Sequence, residues 1–175
     1  LGGIADKVLV TWKAGDTFVV YPIDNPENTQ TFTLVAGAGT DSGTFTGTIP
    51  EGGEAMAMYP NMTLDFTTQV QTTNAGMDHL SGYHCMIGWV EEIEGIYTID
   101  FSPMTELMKF DLTLPAALAE GEALQSLTLS ANQDDWLIRS SSLTSGTLGN
   151  SLTLGLNDVT PTGENKITAY MMLVR

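Results

Sequence analysis

The residues with chemical potential in this sequence fall into a few short clusters. Asp78-His79 and His84-Cys85 form the only His/Cys grouping. Two imidazoles and a thiolate are zinc-type ligands, and zinc takes such groups in a tetrahedron. No second cysteine pair accompanies them, and their spacing follows no common zinc pattern, so no metal ligand is assigned. Cys85, followed by Met86 and Ile87, reads most simply as a small buried apolar residue. Serines gather at Ser140-Ser141-Ser142, but a serine nucleophile needs a base beside it. Both histidines are far away in sequence, and there is no Gly-x-Ser-x-Gly element. The carboxylates Glu91, Glu92 and Glu94, and the pair Asp134-Asp135, have the chemistry of an acid–base pair or of calcium ligands. In so acidic a chain they read first as solvated turns.

Gly37-Ala38-Gly39-Thr40 resembles a fragment of a phosphate loop, but it lacks the Lys-Ser/Thr continuation and a following helix, and reads as a hairpin loop. Asn61-Met62-Thr63 fits the pattern of an N-glycosylation acceptor. Trp12 and Trp89 sit inside apolar runs and are expected in the core. Trp136 follows two aspartates and is the tryptophan expected at the surface, where it would suit sugar stacking. No catalytic, cofactor-binding or metal-binding residue is assigned from these clusters, and no cofactor is called for.

The elements that must position these residues are strands. From Leu107 to Pro115, Met108, Phe110, Leu112 and Leu114 fall on one side, and Lys109, Asp111 and Thr113 on the other. A period of two predicts a strand with one buried and one wet face. Leu124–Ser130 repeats the pattern with Leu127 and Leu129, so the two stretches predict neighbouring core strands. Pro115–Glu122 between them predicts a short helical turn stopped at Gly121.

Upstream, strands are expected at Val8–Trp12, Thr17–Tyr21, Gln30–Val35, Thr44–Pro50 and Glu54–Pro60, with Gly15-Asp16 turning the first back on the second. Leu64–Gln71, rich in Thr and Gln, predicts a strand at a sheet edge or exposed on one side. His84–Val90 is mixed and is broken at Glu91–Gly95, ahead of a strand at Ile96–Phe101. Trp136–Arg139, Leu148–Leu156 and Lys166–Arg175 complete the set. The last of these is apolar on both faces at Met171–Val174 and needs cover on both sides. Many short strands separated by turns, with no sustained helical period, mark an all-β sandwich or barrel.

Bulk composition narrows the function. A chain of 175 residues with 42% hydrophobic residues carries a real core. The formal charge of −15, with 6 basic residues, excludes nucleic acid and anionic membrane surfaces as partners, because both are held by Lys and Arg. A single cysteine excludes an intrachain disulfide. No apolar run reaches the length of a membrane-spanning helix. The first residues show no export signal, so the protein is expected to be either cytoplasmic or already processed. The apolar final strand suggests trimming from a longer chain or a terminal strand held tightly in a sheet.

Several stretches, taken in order, resemble the N-terminal half of the fimbrillin-like proteins of Bacteroidetes, which are pilins, fimbrial anchor subunits and related surface lipoproteins. They are Trp12-Lys13-Ala14-Gly15-Asp16 before an apolar strand, Phe45–Pro50, Ala57-Met58-Tyr59-Pro60, the strand pair within Leu107–Ala131, and Thr168–Met172. The resemblance implies a transthyretin-like antiparallel β-sandwich with long loops and at most short helical turns, spanning 1–175 as a single domain. It implies a non-enzymatic cell-surface subunit of a fimbria, outer-membrane anchored through a lipid after signal-peptide removal. Its implied partners are other subunits, joined by strand exchange, or protein and glycan ligands on host or bacterial surfaces. Family members usually continue into a second sandwich, and they carry a lipid-bearing N-terminal cysteine that this sequence lacks.

The strands at Val8–Trp12 and Lys166–Arg175 are the expected elements for exchange, since an apolar strand can complete an open sheet edge. A glycan-binding domain of a surface lipoprotein, using exposed aromatics and loop carboxylates, is the alternative function. An acidic β-sandwich hydrolase is the third.

Overall fold

The β-branched, aromatic and threonine-rich runs fold as strands, each too short to close a sheet alone. The computed structural model describes residues 9–60, 64–119, 122–132, 137–141 and 146–174. Its strands are Thr17–Pro22 (β1), Gln30–Ala36 (β2), Thr44–Thr46 (β3), Ala55–Tyr59 (β4), Leu64–Asp65 (β5), Val70–Gln71 (β6), Met86–Ile93 (β7) and Ile96–Ile99 (β8). They continue with Ser102–Pro103 (β9), Thr105–Thr113 (β10), Ser126–Ser130 (β11), Leu137–Ser141 (β12), Gly146–Gly149 (β13), Ser151–Leu156 (β14) and Lys166–Val174 (β15). Short 3₁₀ turns at Phe66–Thr68 and Asp78–Gly82 are the helical content of the described residues. The fold is all-β and sandwich-like, with curled sheets that are antiparallel apart from the short parallel pair β6–β14. The chain gathers into two compact units, 1–61 with 88–101, and 62–87 with 102–175.

In the first unit the strands run in the order β3-β2-β1-β4-β7-β8. β1 is central: Phe18, Val19 and Val20 are all buried, so both of its faces are covered. The core is aromatic. Phe18 stacks on Phe32 at a centroid distance of 5.3 Å and meets Phe45 and Phe101 edge-on at 4.7 and 5.2 Å. Trp12 meets Phe45, Tyr59 and Phe101 at 4.8, 5.4 and 5.7 Å. Edge-to-face contacts of this kind match the positive ring edge to the negative ring face. Gly47 is required here, because a Cβ at that position would lie 2.6 Å from the Phe32 ring.

The expected strand over Val8–Trp12 does not form across its described part. Residues 9–12 are irregular, and Trp12 is held instead by backbone bonds to the 36–43 loop, from its N–H to Thr40 O (2.9 Å) and from Gly39 N–H to its carbonyl (2.7 Å). Indole burial within the aromatic core fixes this segment, so no sheet partner is needed. The Gly15 turn does form, with Asp16 Oδ2 accepting from Lys13 N–H at 2.7 Å. β1 then pairs with β2 and β4 rather than with the segment before it.

The second unit contains three small sheets, β10-β15, β11-β14-β6 and β13-β12-β5. Its core is Leu152, Leu154 and Leu156 of β14 packed with Ile167, Ala169 and Met171 of β15, with Phe66 and Val159, all essentially inaccessible. β15 is buried on both faces, as its sequence requires: Tyr170 and Met172 are covered as well.

Several expectations need correction. The stretches 107–115 and 124–130 both form strands, but they do not pair with each other: β10 pairs β15, and β11 pairs β14. The link between them forms no helical turn at residues 115–119; Ala119 N–H is capped by Glu122 Oε2 at 2.8 Å instead. Leu148–Leu156 is two strands, β13 and β14, parted at Asn150. Leu64–Gln71 does lie at sheet edges, as β5 and β6 with one side exposed, but a 3₁₀ turn divides it, and Leu64, Phe66, Gln69 and Gln71 are buried on its inner side. Finally, Glu91 and Glu92 do not break a strand, because β7 runs through them to Ile93.

Candidate binding surfaces

The clusters singled out for chemistry take up structural tasks. His79 lies in the 3₁₀ turn, where its Nε2 meets the Tyr170 carbonyl at 3.0 Å. A carbonyl only accepts, so this nitrogen carries the proton and donates. His84 buries an unpartnered Nε2, and desolvation pushes its pKa below the ordinary histidine value. Cys85 is buried and its thiol is pushed up by the same cause, which removes thiolate character. Among the described residues no three His, Cys, Asp or Glu side chains converge as metal ligands.

Ser140 bonds Thr147 across the β12–β13 pair at 2.8 Å, which makes it a cross-strand tie. In the Gly37–Thr40 loop, Thr40 N–H and Oγ1 bond back to Gly37 O at 3.1 and 2.8 Å, closing the turn on itself. Asn61-Met62-Thr63, Asp134-Asp135, Trp136 and Ser142 lie outside the described residues.

An open cleft of ≈ 590 Å³, mixed polar and apolar, lies in the second unit beside Asp65, Thr68, Val70, Asp78, His79 and Tyr83. Its walls are tied together. Asp65 caps the 3₁₀ turn, accepting from Thr67 Oγ1 (2.6 Å) and Thr67 N–H (2.9 Å), and those two bonds hold its carboxyl below the usual range. Thr68 Oγ1 and the Tyr83 hydroxyl bond each other at 3.0 Å.

A second arrangement was not foreseen from sequence. One edge of β15 pairs with β10; the other edge meets amide side chains instead of a strand. Gln69 Oε1 accepts from Met172 N–H at 2.7 Å, and Gln69 Nε2 donates to Met172 O at 2.9 Å. Gln71 Oε1 accepts from Tyr170 N–H at 2.9 Å, and its Nε2 donates to Thr168 O at 2.9 Å. Asn74 Oδ1 accepts from Thr168 N–H at 2.8 Å, and its Nδ2 donates to Lys166 O at 3.0 Å. With His79 on Tyr170 O, every second residue of β15 from Lys166 to Met172 is answered by a side chain. A primary amide carries one acceptor and two donors, so it can stand in for a peptide group on a ladder. The edge is sealed without a strand.

The edge at β8 is different. Within the first unit, β7 and β8 form a hairpin with Ile93 opposite Ile96 and Val90 opposite Ile99. Glu94 (φ 53°) and Gly95 (φ 81°) make its turn, both left-handed as a two-residue type I′ turn requires. Gly88 is buried and Val90 and Ile99 are half-buried, so their face looks toward the core. By alternation, Trp89, Glu91, Ile93, Ile96, Thr98 and Asp100 share the opposite, outward face. Trp89 is 52% exposed, Ile93 56% and Ile96 66%, with Tyr97 at the hairpin end 49% exposed. The expectation that Trp89 is a core residue is therefore wrong. The run containing it is apolar, but the strand's parity turns the indole outward. β8 is the last strand on its side of the sheet order.

No family model matches this sequence, and no curated protein or solved structure matches it either.

Proposed function

We propose that the protein is a non-enzymatic structural or adhesive subunit of a cell-surface assembly, fimbrial or fimbria-like, anchored at the outer membrane. The observation that carries this reading is the hairpin β7–β8. It ends a sheet, presents Trp89, Ile93, Ile96 and Tyr97 to solvent, and offers a strand edge on which another chain can pair. The groups with catalytic potential support the same reading from the other side. His79 is held on a backbone carbonyl, Cys85 is buried, and Ser140 ties two strands.

Contact with other subunits falls to β8 more readily than to the C-terminal strand, whose two edges are already occupied by β10 and by the amides of Gln69, Gln71 and Asn74. Immunogold labelling of intact source cells, with crosslinking of surface material, tests the role. Label outside the cell in crosslinked multi-subunit material is expected; label confined to the cytoplasm refutes it.

A glycan-binding role is the second reading, favoured by the cleft at Asp65, Asp78 and Tyr83, where carboxylates and a phenol ring line one open space. Saturable binding on a glycan array that is lost in Tyr83→Ala would select it.

A further inference from the structure

Strand β8 leaves part of its backbone unanswered. In a two-residue hairpin the closing pair, Ile93 and Ile96, exchanges both hydrogen bonds, and the pairs then alternate. The N–H and C=O groups of Tyr97 and Ile99 therefore point away from β7, toward the open side of the sheet. No strand among those described lies there. Flanking this edge are exposed apolar side chains and four carboxylates, Glu91, Glu92, Glu94 and Asp100, all at the surface.

We propose that the free edge of β8 binds an extended basic and apolar segment of a different protein, which adds as a strand beside Tyr97–Ile99 and sets Lys or Arg against Asp100, with a second cation reaching over Thr98 toward Glu91, while covering Ile96. Main-chain bonds to Tyr97 and Ile99 supply the docking, and side chains at every second position supply the selection. The outward face asks for an apolar residue beside Ile96 and a cation beside Asp100, two strand positions apart on each side of Thr98. Charge decides against a second copy of this chain. The protein carries 21 acidic and 6 basic residues, and like charges facing each other across a strand pair are unfavourable. An exposed edge guarded by carboxylates repels its own kind and attracts a cationic strand.

The site rests on the reading of the protein as a binding subunit, and its test is separable from the test of that role. The probe is the synthetic peptide Lys-Thr-Lys-Thr-Val-Thr, about one typical strand of six residues long, which carries two lysines and a valine on one face. Controls are the same peptide with glutamate in place of lysine and an all-lysine peptide. Titration into the purified chain is followed by amide NMR shifts. The lysine–valine peptide is expected to bind saturably, shifting Trp89 and Ile96–Asp100. Its affinity should fall by roughly an order of magnitude as salt is raised from about 0.05 to about 0.5 M, since exposed ion pairs are screened.

Tyr97→Pro removes an outward N–H at a place where an edge strand tolerates proline, and should weaken binding at least about tenfold. Ile96→Lys, with unchanged near-ultraviolet circular dichroism, should do the same and covers the case in which the proline variant misfolds. Equal binding by the all-lysine peptide, shifts centred on any other edge, or no saturable binding would overturn the site. A protein that is found in surface assemblies yet ignores the peptide overturns the site alone. A protein that binds the peptide at β8 but resides in the cytoplasm supports the site and refutes the surface role.

Discussion

Replacing Gln69 by leucine tests whether the amide side chains truly substitute for a strand. Leucine has a similar volume and suits a buried position, so packing changes little. What is lost is the pairing of Met172, whose N–H and C=O both bond Gln69, at 2.7 and 2.9 Å, and the further bond from Gln69 Nε2 to Phe66 O at 3.0 Å. Met172 is buried, so its orphaned groups cannot turn to water. Each buried unsatisfied group costs about 1–3 kcal/mol, so the two orphaned groups of Met172 put Gln69→Leu at about 2–6 kcal/mol.

Gln71→Leu should cost less, about 1–3 kcal/mol, because it orphans chiefly the Tyr170 N–H. Thr168 O keeps a second donor, Ala75 N–H, at 2.9 Å. The order of the two variants is thus as informative as their size. Urea unfolding with a shared slope gives both values, and hydrogen exchange should show the Met172 amide deprotected in Gln69→Leu and little changed in Gln71→Leu. A loss below about 1 kcal/mol for Gln69→Leu, or a larger loss for Gln71→Leu, would refute the surrogate-strand reading.

Two further perturbations follow from local geometry. Gly95→Ala has open space for its Cβ, so its cost is conformational alone, about 1–2 kcal/mol at φ 81°, and Glu94→Asn should be mildly stabilising at φ 53°; thermal unfolding of both checks this. His84 is held neutral by burial, so its folded pKa lies below the unfolded value of about 6.5. The unfolded chain then binds the proton first, and His84's contribution to stability is present above about pH 6.5 and lost as pH falls through the folded pKa. Urea midpoints against pH should slope downward below pH 6.5 and flatten in His84→Leu; an unchanged slope removes His84 as the cause. Asp65 and Asp111, both held low by hydrogen bonds from threonine, add a second loss at more acidic pH, below the ordinary carboxylate range.

Much of the strand content is legible in the sequence, because a period of two is a direct statement about faces. Thr17–Tyr21, Gln30–Val35, Leu107–Thr113 and the final strand all stand where alternation or β-branched runs put them. Strand neighbours are not legible in this way, because alternation is blind to which partner covers a face. That is why 107–115 and 124–130 read as neighbours although they join β15 and β14. The division into two units is equally hidden. It crosses the chain inside β7, between Ile87 and Gly88, where composition does not change.

The surfaces failed to show for a different reason. Gln69 and Gln71 look like solvent-facing residues by type, and only the tertiary position of β15 turns their amides into ladder partners. Glu91 and Glu92 look like a strand break, yet an edge hairpin tolerates charge because its outer side is wet. The signal that was available is Ile93-Glu94-Gly95-Ile96, an apolar pair closing on a residue-plus-glycine turn, which marks a hairpin.

The chain thus treats two strand edges that pair with no described strand by opposite means, and the difference bears on what each edge is for. β15 is apolar on both faces and carries the core of its unit. An open edge there would invite any unsatisfied strand, including one from a partly folded copy. Filling it with side-chain amides removes the hydrogen-bonding opportunity itself, whatever the charge of an approaching chain. β8 is guarded only by carboxylates around exposed apolar side chains, which leaves the backbone groups of Tyr97 and Ile99 available. Charge is a selective guard: it raises the cost for acidic strands, this protein's own foremost among them, and lowers it for basic ones. An edge that needed only to be kept from aggregating could be closed as β15 is closed, with the same amides on the same kind of ladder. Leaving β8 open behind a single-sign screen is the arrangement expected of an edge that must refuse copies of itself and accept something else.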